Sequence, residues 1–124
     1  RQNLQEMGDF VNKIKGQRWL CNKLLNDLLL NQKKIVIDGL RFPEDHAFMK
    51  ERFGSNFIHI HLKSDESIRR ERYLTESRND VKFEEAIKHS VERDVDKLSE
   101  LSDLIIDNSR NLSYLYKQLD ILIS

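Results

Sequence analysis

The sequence predicts an α/β domain in which a parallel sheet is flanked by helices. Three short segments rich in β-branched residues, "KIVID", "NFIHIHL" and "DLIIDNS", read as strands. The segments between them carry helical periodicity, and none contains a hairpin-type turn. Strands that are joined through helices need crossover connections, which make the sheet parallel. Residues 1–124 are the size of one such domain.

The composition excludes several classes of protein. Lys and Arg together number 21 and are balanced by 21 Asp and Glu, so net charge favours neither a nucleic-acid nor a membrane partner. No apolar run approaches the roughly 20 residues of a membrane span. The single cysteine, Cys21, excludes an internal disulfide and is typical of a reducing, cytoplasmic compartment.

The first part of the chain predicts two helices and a strand. Residues 3–15 place Leu4, Met7, Val11 and Ile14 on one helical face, and Gly16 is a suitable stop. The leucine-rich residues 18–31 predict a second, more buried helix. "KIVID" then predicts a strand that is apolar on both faces, as in parallel sheets covered by helices.

The rest of the chain alternates helices and strands. A helix is expected from Pro43 to about Arg52, with proline and acids in its first turn and Gly54 at its end. The remaining predicted elements are, in order, a strand in "NFIHIHL", a helix in "DESIRRERYL", a polar loop in "TESRND", one long helix over 82–101, a strand in "DLIIDNS" and a final helix over 111–123.

All three predicted strands end in polar residues, and ligands of parallel sheets bind beyond such ends. The first strand ends in Asp38-Gly39-Leu40-Arg41, the second in "KSD" and the third in "DNSR". Asp38 could hold Mg²⁺ through water, and the planar fork of Arg41 suits a phosphate. Asp-Gly is also ordinary turn chemistry, so a plain turn with a surface arginine is the alternative.

Four arginines, Arg69, Arg70, Arg72 and Arg78, fall within ten residues of the segment "IRRERYLTESRND". Acidic residues are interleaved with them, so a solvated face of ion pairs is one interpretation. The cluster follows a predicted strand end, so a mobile flap that closes over a phosphate ligand is the other.

No metal or nucleophile motif is present in the sequence. His59 and His61 share one face of a predicted strand, where packing roles are favoured over metal binding because no third ligand is adjacent. The sequence contains no zinc-type Cys/His group, no Gly-x-Ser-x-Gly elbow and no thiol-catalysis signature around its cysteine.

The order of the motifs "IVIDGLRFPED", "FIHIHLKSDESIRRERYLTESRND" and "SDLIIDNSRNLSYLYKQLDILI" resembles that of the P-loop nucleotide kinases. The similarity is closest to deoxynucleoside monophosphate kinases and dephospho-coenzyme A kinases, and the opening "RQNLQEMGDFV" is similar to an "R-x-x-L-Q-x-x-G" helix of the former. The resemblance spans nearly all 124 residues. It implies a three-layer sandwich, ATP as the phosphate donor and Mg²⁺ as the cofactor.

The resemblance also implies roles for matching positions. Asp38 would organise Mg²⁺ through water or orient the acceptor, and Arg41 would contact the acceptor's phosphate. Arg72 and Arg78 would be catalytic arginines of a lid at about residues 69–82, where charge neutralisation does much of the work. The remaining matches are Arg1 and Gln5, which would line the acceptor pocket, and Asn108, which would lie near the adenine.

One part of the family pattern is missing. A phosphate-cradling loop needs Gly-x-x-x-x-Gly-Lys-[Ser/Thr], and none of the four glycines fits it. In the family fold, the strand that carries this loop lies between the strands matched by "IVID" and "FIHIH". Its absence would leave unpaired strand edges in the core. We therefore expect residues 1–124 to be the larger, C-terminal part of a kinase-like domain, or to receive this strand from elsewhere, and to be inactive alone.

The sequence leaves three functions open. The first is part of an ATP-dependent kinase that phosphorylates a nucleotide-like acceptor, either a nucleoside monophosphate or dephospho-coenzyme A. The second is a catalytically silent kinase-like domain that senses nucleotides or mediates assembly. The third is an α/β interaction module whose arginines form surface ion pairs. A small-molecule nucleotide is the expected partner, without nucleic acid or membrane, and a homodimer or further domains stay open.

Overall fold

The computed structural model describes residues 2–27, 34–77, 80–88 and 94–123. The chain divides into two compact units, Arg1–Phe57 and Ile58–Ser124. The described residues are mostly helical and contain one small parallel sheet. The α/β character of the chain is thus confirmed in coarse form, whereas the three-layer sandwich stays a prediction.

The first unit is built from helices. Its elements are α1 (Gln2–Lys15), α2 (Gln17–Asp27), α3 (Pro43–Phe53) and a 3₁₀ turn (Gly54–Asn56). Helix α3 begins as expected, with Pro43 in its first turn beside two acidic residues. It ends at Gly54, whose φ of 56° is a conformation that glycine adopts without a Cβ penalty.

The core of this unit is a small apolar cluster. Cys21 and Leu25 from α2 and Met49 from α3 are buried. The half-buried residues that pack against them are Ile37, Leu40, Phe48, Phe53 and Phe57. Arg18 of α2 donates to both carboxylate oxygens of Glu51 on α3, at 2.8 and 3.1 Å, which joins the two helices at the surface.

The strand predicted in "KIVID" is wrong. Residues 34–40 are irregular, and no strand of the described residues pairs with them. The segment is not covered on both faces either, because Val36 is 95% exposed while Ile37 packs on the core cluster. A strand is defined by hydrogen bonds to a neighbour, and apolar β-branched residues alone do not supply one.

The second unit contains the sheet and four helices among the described residues. The elements are β1 (Ile60–Lys63), α4 (Glu66–Ser77), α5 (Asp80–Lys88), α6 (Val95–Leu101), β2 (Leu104–Asp107) and α7 (Leu112–Ile123). The two strands pair in parallel, with Ile60 opposite Leu104 and Lys63 opposite Asp107. Helix α7 packs on β2, where Ile106 is buried.

Two predictions in this unit need correction, one of a loop and one of a helix. The expected polar loop over 75–80 is helical at Thr75–Ser77, since α4 ends at Ser77, and Asp80 already begins α5. Thr75 donates its hydroxyl to the carbonyl of Glu71 at 2.9 Å, and no glycine or proline interrupts the turn.

The expected long helix over 82–101 is instead described as α5 and α6, and residues 89–93 lie outside the described residues. Asp94 has a non-helical ψ of 5° and precedes the first residue of α6. Aspartate favours such positions at a helix start over helix interiors. Among the helices within the described ranges, none has the length and apolar character needed to cross a bilayer.

Candidate functional site

The carboxyl ends of β1 and β2 lie side by side in the second unit. Lys63 is opposite Asp107 in the parallel register, and the N–H of Asn108 donates to the carbonyl of Lys63 at 2.7 Å. Two of the three polar strand ends picked out from the sequence therefore meet at one edge of the sheet. Ligand sites of open parallel sheets form at this edge.

Hydrogen bonds connect the two loops that leave these strands. The N–H of Asp65 donates to Oγ of Ser109 at 3.1 Å, and the N–H of Ser109 donates to Oδ1 of Asp107 at 2.8 Å. The backbone bond from Ser109, followed by its side-chain bond, lowers the pKa of Asp107 below its ordinary value, with a smaller contribution from Arg110. The Asp107 carboxylate therefore stays ionised in neutral solution.

Arg72 ties helix α4 to the loop after β2. Its Nη1 donates to the carbonyl of Asn108 at 2.7 Å, and its Nη2 donates to the carbonyl of Arg110 at 3.0 Å. A guanidinium presents its N–H donors in a rigid fork, which suits two carbonyls of one turn. We call the residues joined by these contacts the strand-end cluster: Asp65, Arg72, Asp107, Asn108, Ser109 and Arg110.

A cation and an aromatic ring flank the strand-end cluster. The guanidinium of Arg110 lies 4.6 Å from the centre of the Tyr114 ring, and its Nε is 3.9 Å from the Asp107 carboxylate. Asn111 precedes α7 and accepts the N–H of Tyr114 at 3.0 Å, which caps the helix. The Arg110 side chain is 67% exposed, so it is available to an anion or a planar ring from solvent.

An open depression of ≈ 390 Å³ borders the strand-end cluster. Its lining residues are Ile68, Glu71, Arg72, Thr75, Glu76 and Ser109. The lining mixes one guanidinium with two carboxylates, so the depression as a whole is not an anion pocket. Its one guanidinium, that of Arg72, donates to the carbonyls of Asn108 and Arg110, which flank Ser109 in the chain.

The arginines of α4 do not share one role. Arg70 pairs with Glu66 at 3.5 Å and with Glu84 of α5, and its guanidinium lies 4.7 Å from the ring centre of Phe83. The ion-pair interpretation of the cluster therefore describes Arg70. Arg69 is exposed on the same helix, whereas Arg72 reaches the loop after β2 through its two hydrogen bonds.

The structure brings Arg72 and Asn108 together, since the guanidinium of the first donates to the carbonyl of the second. Asp38 and Arg41 lie in the first unit, the former exposed in the irregular segment and the latter half-buried just before α3. The side chains of the other three predicted residues are not described. Gln5 lies in α1, but its side chain is outside the description. Arg1 and Arg78 lie outside the described residues. The roles assigned to all seven residues stay predictions.

The two strand histidines occupy different environments. His59 is buried, and its main-chain N–H donates to Oδ2 of Asp103 at 2.7 Å. His61 is half-buried, and burial lowers the pKa of its imidazole against the opposing effect of Asp96. The described ranges hold no group of three side chains that could ligate a metal.

Sequence reasoning missed Gln118, which binds the main chain at the end of β2. Its Oε1 accepts the N–H of Asp107 at 3.1 Å, and its Nε2 donates to the carbonyl of Asp107 at 2.9 Å. The available signal was a polar side chain in the apolar register of the last helix, between Leu115 and Leu119. The sequence places Ser109 at a polar strand end but does not show its two bonding partners, Asp65 and Asp107.

Comparison of the chain with protein-family models, with curated proteins and with solved structures gave no match.

Proposed function

We propose that residues 1–124 form the acceptor-binding, lid and C-terminal part of an ATP-dependent kinase that acts on a nucleotide-like acceptor. The observation that carries the proposal is the strand-end cluster, in which a lid-side arginine and the loop after the last strand are held together at the carboxyl edge of a parallel sheet. From the sequence resemblance, we expect the donor's adenine to lie beside Asn108 in this loop. The cluster supplies a fixed main chain and the exposed Arg110 at that position.

The edges of the sheet support the same proposal. The carbonyls of His59 and Lys63 accept from the chain of β2, so the intervening Ile60 and Leu62 direct their main-chain N–H and carbonyl groups to the other side. No strand of the described residues pairs there. A P-loop kinase would place the strand that carries its phosphate-cradling loop next to β1 on this side. The free edge therefore matches the position expected for the missing element.

The expected cofactor, Mg²⁺, requires few ligands from this chain. In kinases of this kind Mg²⁺ bridges the donor phosphates and keeps much of its water, so it needs few protein ligands. A single exposed carboxylate such as Asp38 fits a water-mediated contact. Arg72 fixes the loop near the adenine, and Arg41 is expected to bind the acceptor's phosphate. Phosphate transfer would also need a glycine-rich loop, which these 124 residues do not contain.

Calorimetric titration tests the binding part of this proposal. The polypeptide as its gene encodes it would be titrated, in Mg²⁺, with ATP, each deoxynucleoside monophosphate and dephospho-coenzyme A. We expect ATP and one acceptor to bind. Arg72→Ala is expected to weaken ATP binding by about tenfold, since it frees the loop after β2, while the matched control Arg69→Ala leaves the affinity unchanged. If no nucleotide binds, the proposal is wrong.

A second candidate function is a silent nucleotide-sensing or assembly domain, which would bind nucleotides without transferring phosphate. The two functions differ in turnover. Formation of ADP and phosphorylated acceptor, measured by ³¹P NMR, supports the kinase, whereas ATP binding without any product supports the silent domain. If Arg41→Ala and Arg78→Ala leave ligand affinities unaltered, the arginines act only in surface contacts and the interaction module is the better description.

A further inference from the structure

Helix α1 turns its apolar side to solvent. Met7 is 63% exposed, Phe10 63% and Ile14 59%. At 3.6 residues per turn, these three side chains lie within about 60° of one another around the helix axis. They form a continuous apolar stripe two turns long, which we call the α1 stripe.

Two of the three half-buried residues described in α1 are polar. Asn12 is half-buried, and its Oδ1 is buried without a hydrogen-bond partner among the described residues. Asp9 and Val11 are half-buried as well. Amphipathic surface helices normally show the opposite arrangement, with apolar residues toward the protein and polar residues toward water. Exposing the α1 stripe to water is unfavourable unless another surface covers the stripe.

The charges beside the α1 stripe identify the covering surface. Glu6 and Lys13 are exposed and lie on the same flank of the stripe, within about 20° of each other around the axis. In an antiparallel helix pair, the same flanks of the two helices face each other. With a two-fold axis at Phe10, Glu6 of one copy comes within about 1.5 Å, along the axis, of the level of Lys13 in the other copy. Because of the two-fold symmetry, this ion pair forms twice in the pair of helices.

We propose that the α1 stripe is the contact surface of a homodimer, in which α1 packs antiparallel against α1 of a second copy of this chain. The contact is isologous, because the same stripe and the same flank are used by both copies. A parallel pair is disfavoured. It would place Glu6 at the level of Glu6 in the other copy, and Lys13 at the level of Lys13, so neither charge would meet an opposite one. The proposal is independent of the proposed kinase function.

The dimer is expected to be weak. Three side chains from each copy form an interface at the low end of the size range, below about 1,200 Å². Sedimentation equilibrium of the intact polypeptide should therefore show a monomer–dimer equilibrium with a dissociation constant on the order of tens of micromolar. Phe10→Glu places like charges on the two-fold axis and should abolish the dimer. A chain that stays monomeric at several hundred micromolar overturns the proposal.

Charge reversal tests the geometry, since it acts on the exposed flank and leaves folding intact. Glu6→Lys alone and Lys13→Glu alone should each weaken dimerisation by about tenfold in low salt, because each brings like charges together twice. The double reversal restores opposite charges and should return the dissociation constant to the parent value. Lys23→Glu, on a different helix, is the matched control. A dimer that responds to neither single reversal contradicts the antiparallel contact.

Disulfide crosslinking distinguishes the two orientations in a Cys21→Ser background. A mixture of the Met7→Cys and Ile14→Cys chains should form the mixed disulfide, because both positions belong to the α1 stripe and, with the two-fold axis at Phe10, they lie within about 1.5 Å of the same level in the antiparallel pair. Met7→Cys alone should crosslink no faster than Val36→Cys, whose position is 95% exposed and reports random collision. Rapid crosslinking of Met7→Cys with itself would indicate a parallel pair and overturn the proposal.

Discussion

Gln118 pairs its side-chain amide with the main chain of Asp107, accepting the N–H at 3.1 Å and donating to the carbonyl at 2.9 Å. These main-chain groups point away from β1, because Asn108, the next residue, makes the bond to Lys63. The amide therefore takes the place of a neighbouring strand at the carboxyl end of β2. The edge of β2 is closed there by α7, whereas the far edge of β1 has no described partner.

This pairing predicts that Gln118→Ala lowers the free energy of unfolding. The substitution would leave a half-buried N–H and carbonyl without their partners, which costs about 1–3 kcal/mol. Urea unfolding followed by circular dichroism measures the change. Lys117→Ala, at an exposed position of the same helix, is the matched control and should stay within about 0.5 kcal/mol of the parent. Equal effects of the two substitutions would show that the amide pairing does not stabilise the strand end.

Asp107 is expected to make stability depend on pH in the acid range. Its folded-state pKa lies below the ordinary value of 3.8, so the unfolded chain binds a proton first as the pH falls. The stabilisation is complete above pH 3.8 and is lost as the pH falls toward the folded-state pKa. Titration of the Asp107 carboxyl carbon by NMR measures its folded-state pKa directly.

The causes of this shift can be ranked with two variants. Ser109→Ala removes a side-chain bond and should raise the pKa of Asp107 part of the way toward 3.8, because the larger backbone bond remains. Arg110→Gln should raise it less, since the arginine is the smallest of the contributions that lower the pKa. A larger effect from the Arg110 variant would mean that the local hydrogen bonds do not control this carboxylate.

Local sequence signals predicted most of the helices and located two strands, although the end of α4, the long helix over 82–101 and the start of β1 were not predicted correctly. Helix α3 is the clearest case, because Pro43 and Gly54 mark its ends by properties of the residues themselves. The parallel pairing of β1 with β2 followed from the helices between them. These features depend on short-range preferences or on connectivity, both of which are legible in a sequence.

The failures have a different physical origin. The segment around Val36 has strong β propensity but no described strand beside it, and a strand needs hydrogen bonds from a neighbour. The sequence placed Met7 and Ile14 on one face of α1 but did not show that this face turns to solvent. Periodicity shows that a helix is amphipathic but not what covers it. The bonds of Arg72 to two loop carbonyls likewise depend on tertiary distances that no residue pattern encodes.

Cys21 is predicted to be an unreactive thiol in the folded chain. Burial, followed by its bond to Oδ1 of Asp45 at 3.2 Å, raises the thiol's pKa to about 12. Because the thiolate is the nucleophile, reaction with a disulfide reagent at pH 8 should be at least about 100-fold slower in the native than in the unfolded chain. Equal rates in the presence and absence of denaturant would contradict this burial.

The same thiol makes stability fall in alkali. The unfolded thiol ionises near its ordinary pKa of 9.0 and the folded one near 12, so the unfolded chain binds fewer protons between these values. Stability is unaffected by this group below about pH 9 and declines from there toward pH 12. In Cys21→Ala, which has no thiol, this component of the pH dependence should be absent, although the chain is less stable at every pH.

Arg70 is predicted to contribute to stability, whereas its neighbour Arg69 is not. Arg70 pairs with Glu84 and lies 4.7 Å from the ring centre of Phe83, which is 4% exposed, so it joins α4 to α5 through both charge and packing. Its replacement by Ala should cost about 1–2 kcal/mol in the free energy of unfolding, from the lost cation–π contact and the lost ion pair. Arg69→Ala should change it by less than about 0.5 kcal/mol.

A double-mutant cycle separates the two contributions of Arg70. The coupling between Arg70→Ala and Glu84→Ala isolates the ion pair, for which we expect about 0.5 kcal/mol that declines in high salt. The remaining cost comes from the contact with Phe83 and from the exposed pair with Glu66; only the Phe83 part should persist in salt, because the ring is buried. Arg70→Lys keeps the charge but loses the planar fork, so it should recover only part of the stability. If Arg70→Ala costs no more than Arg69→Ala, the two helices are held together without this arginine.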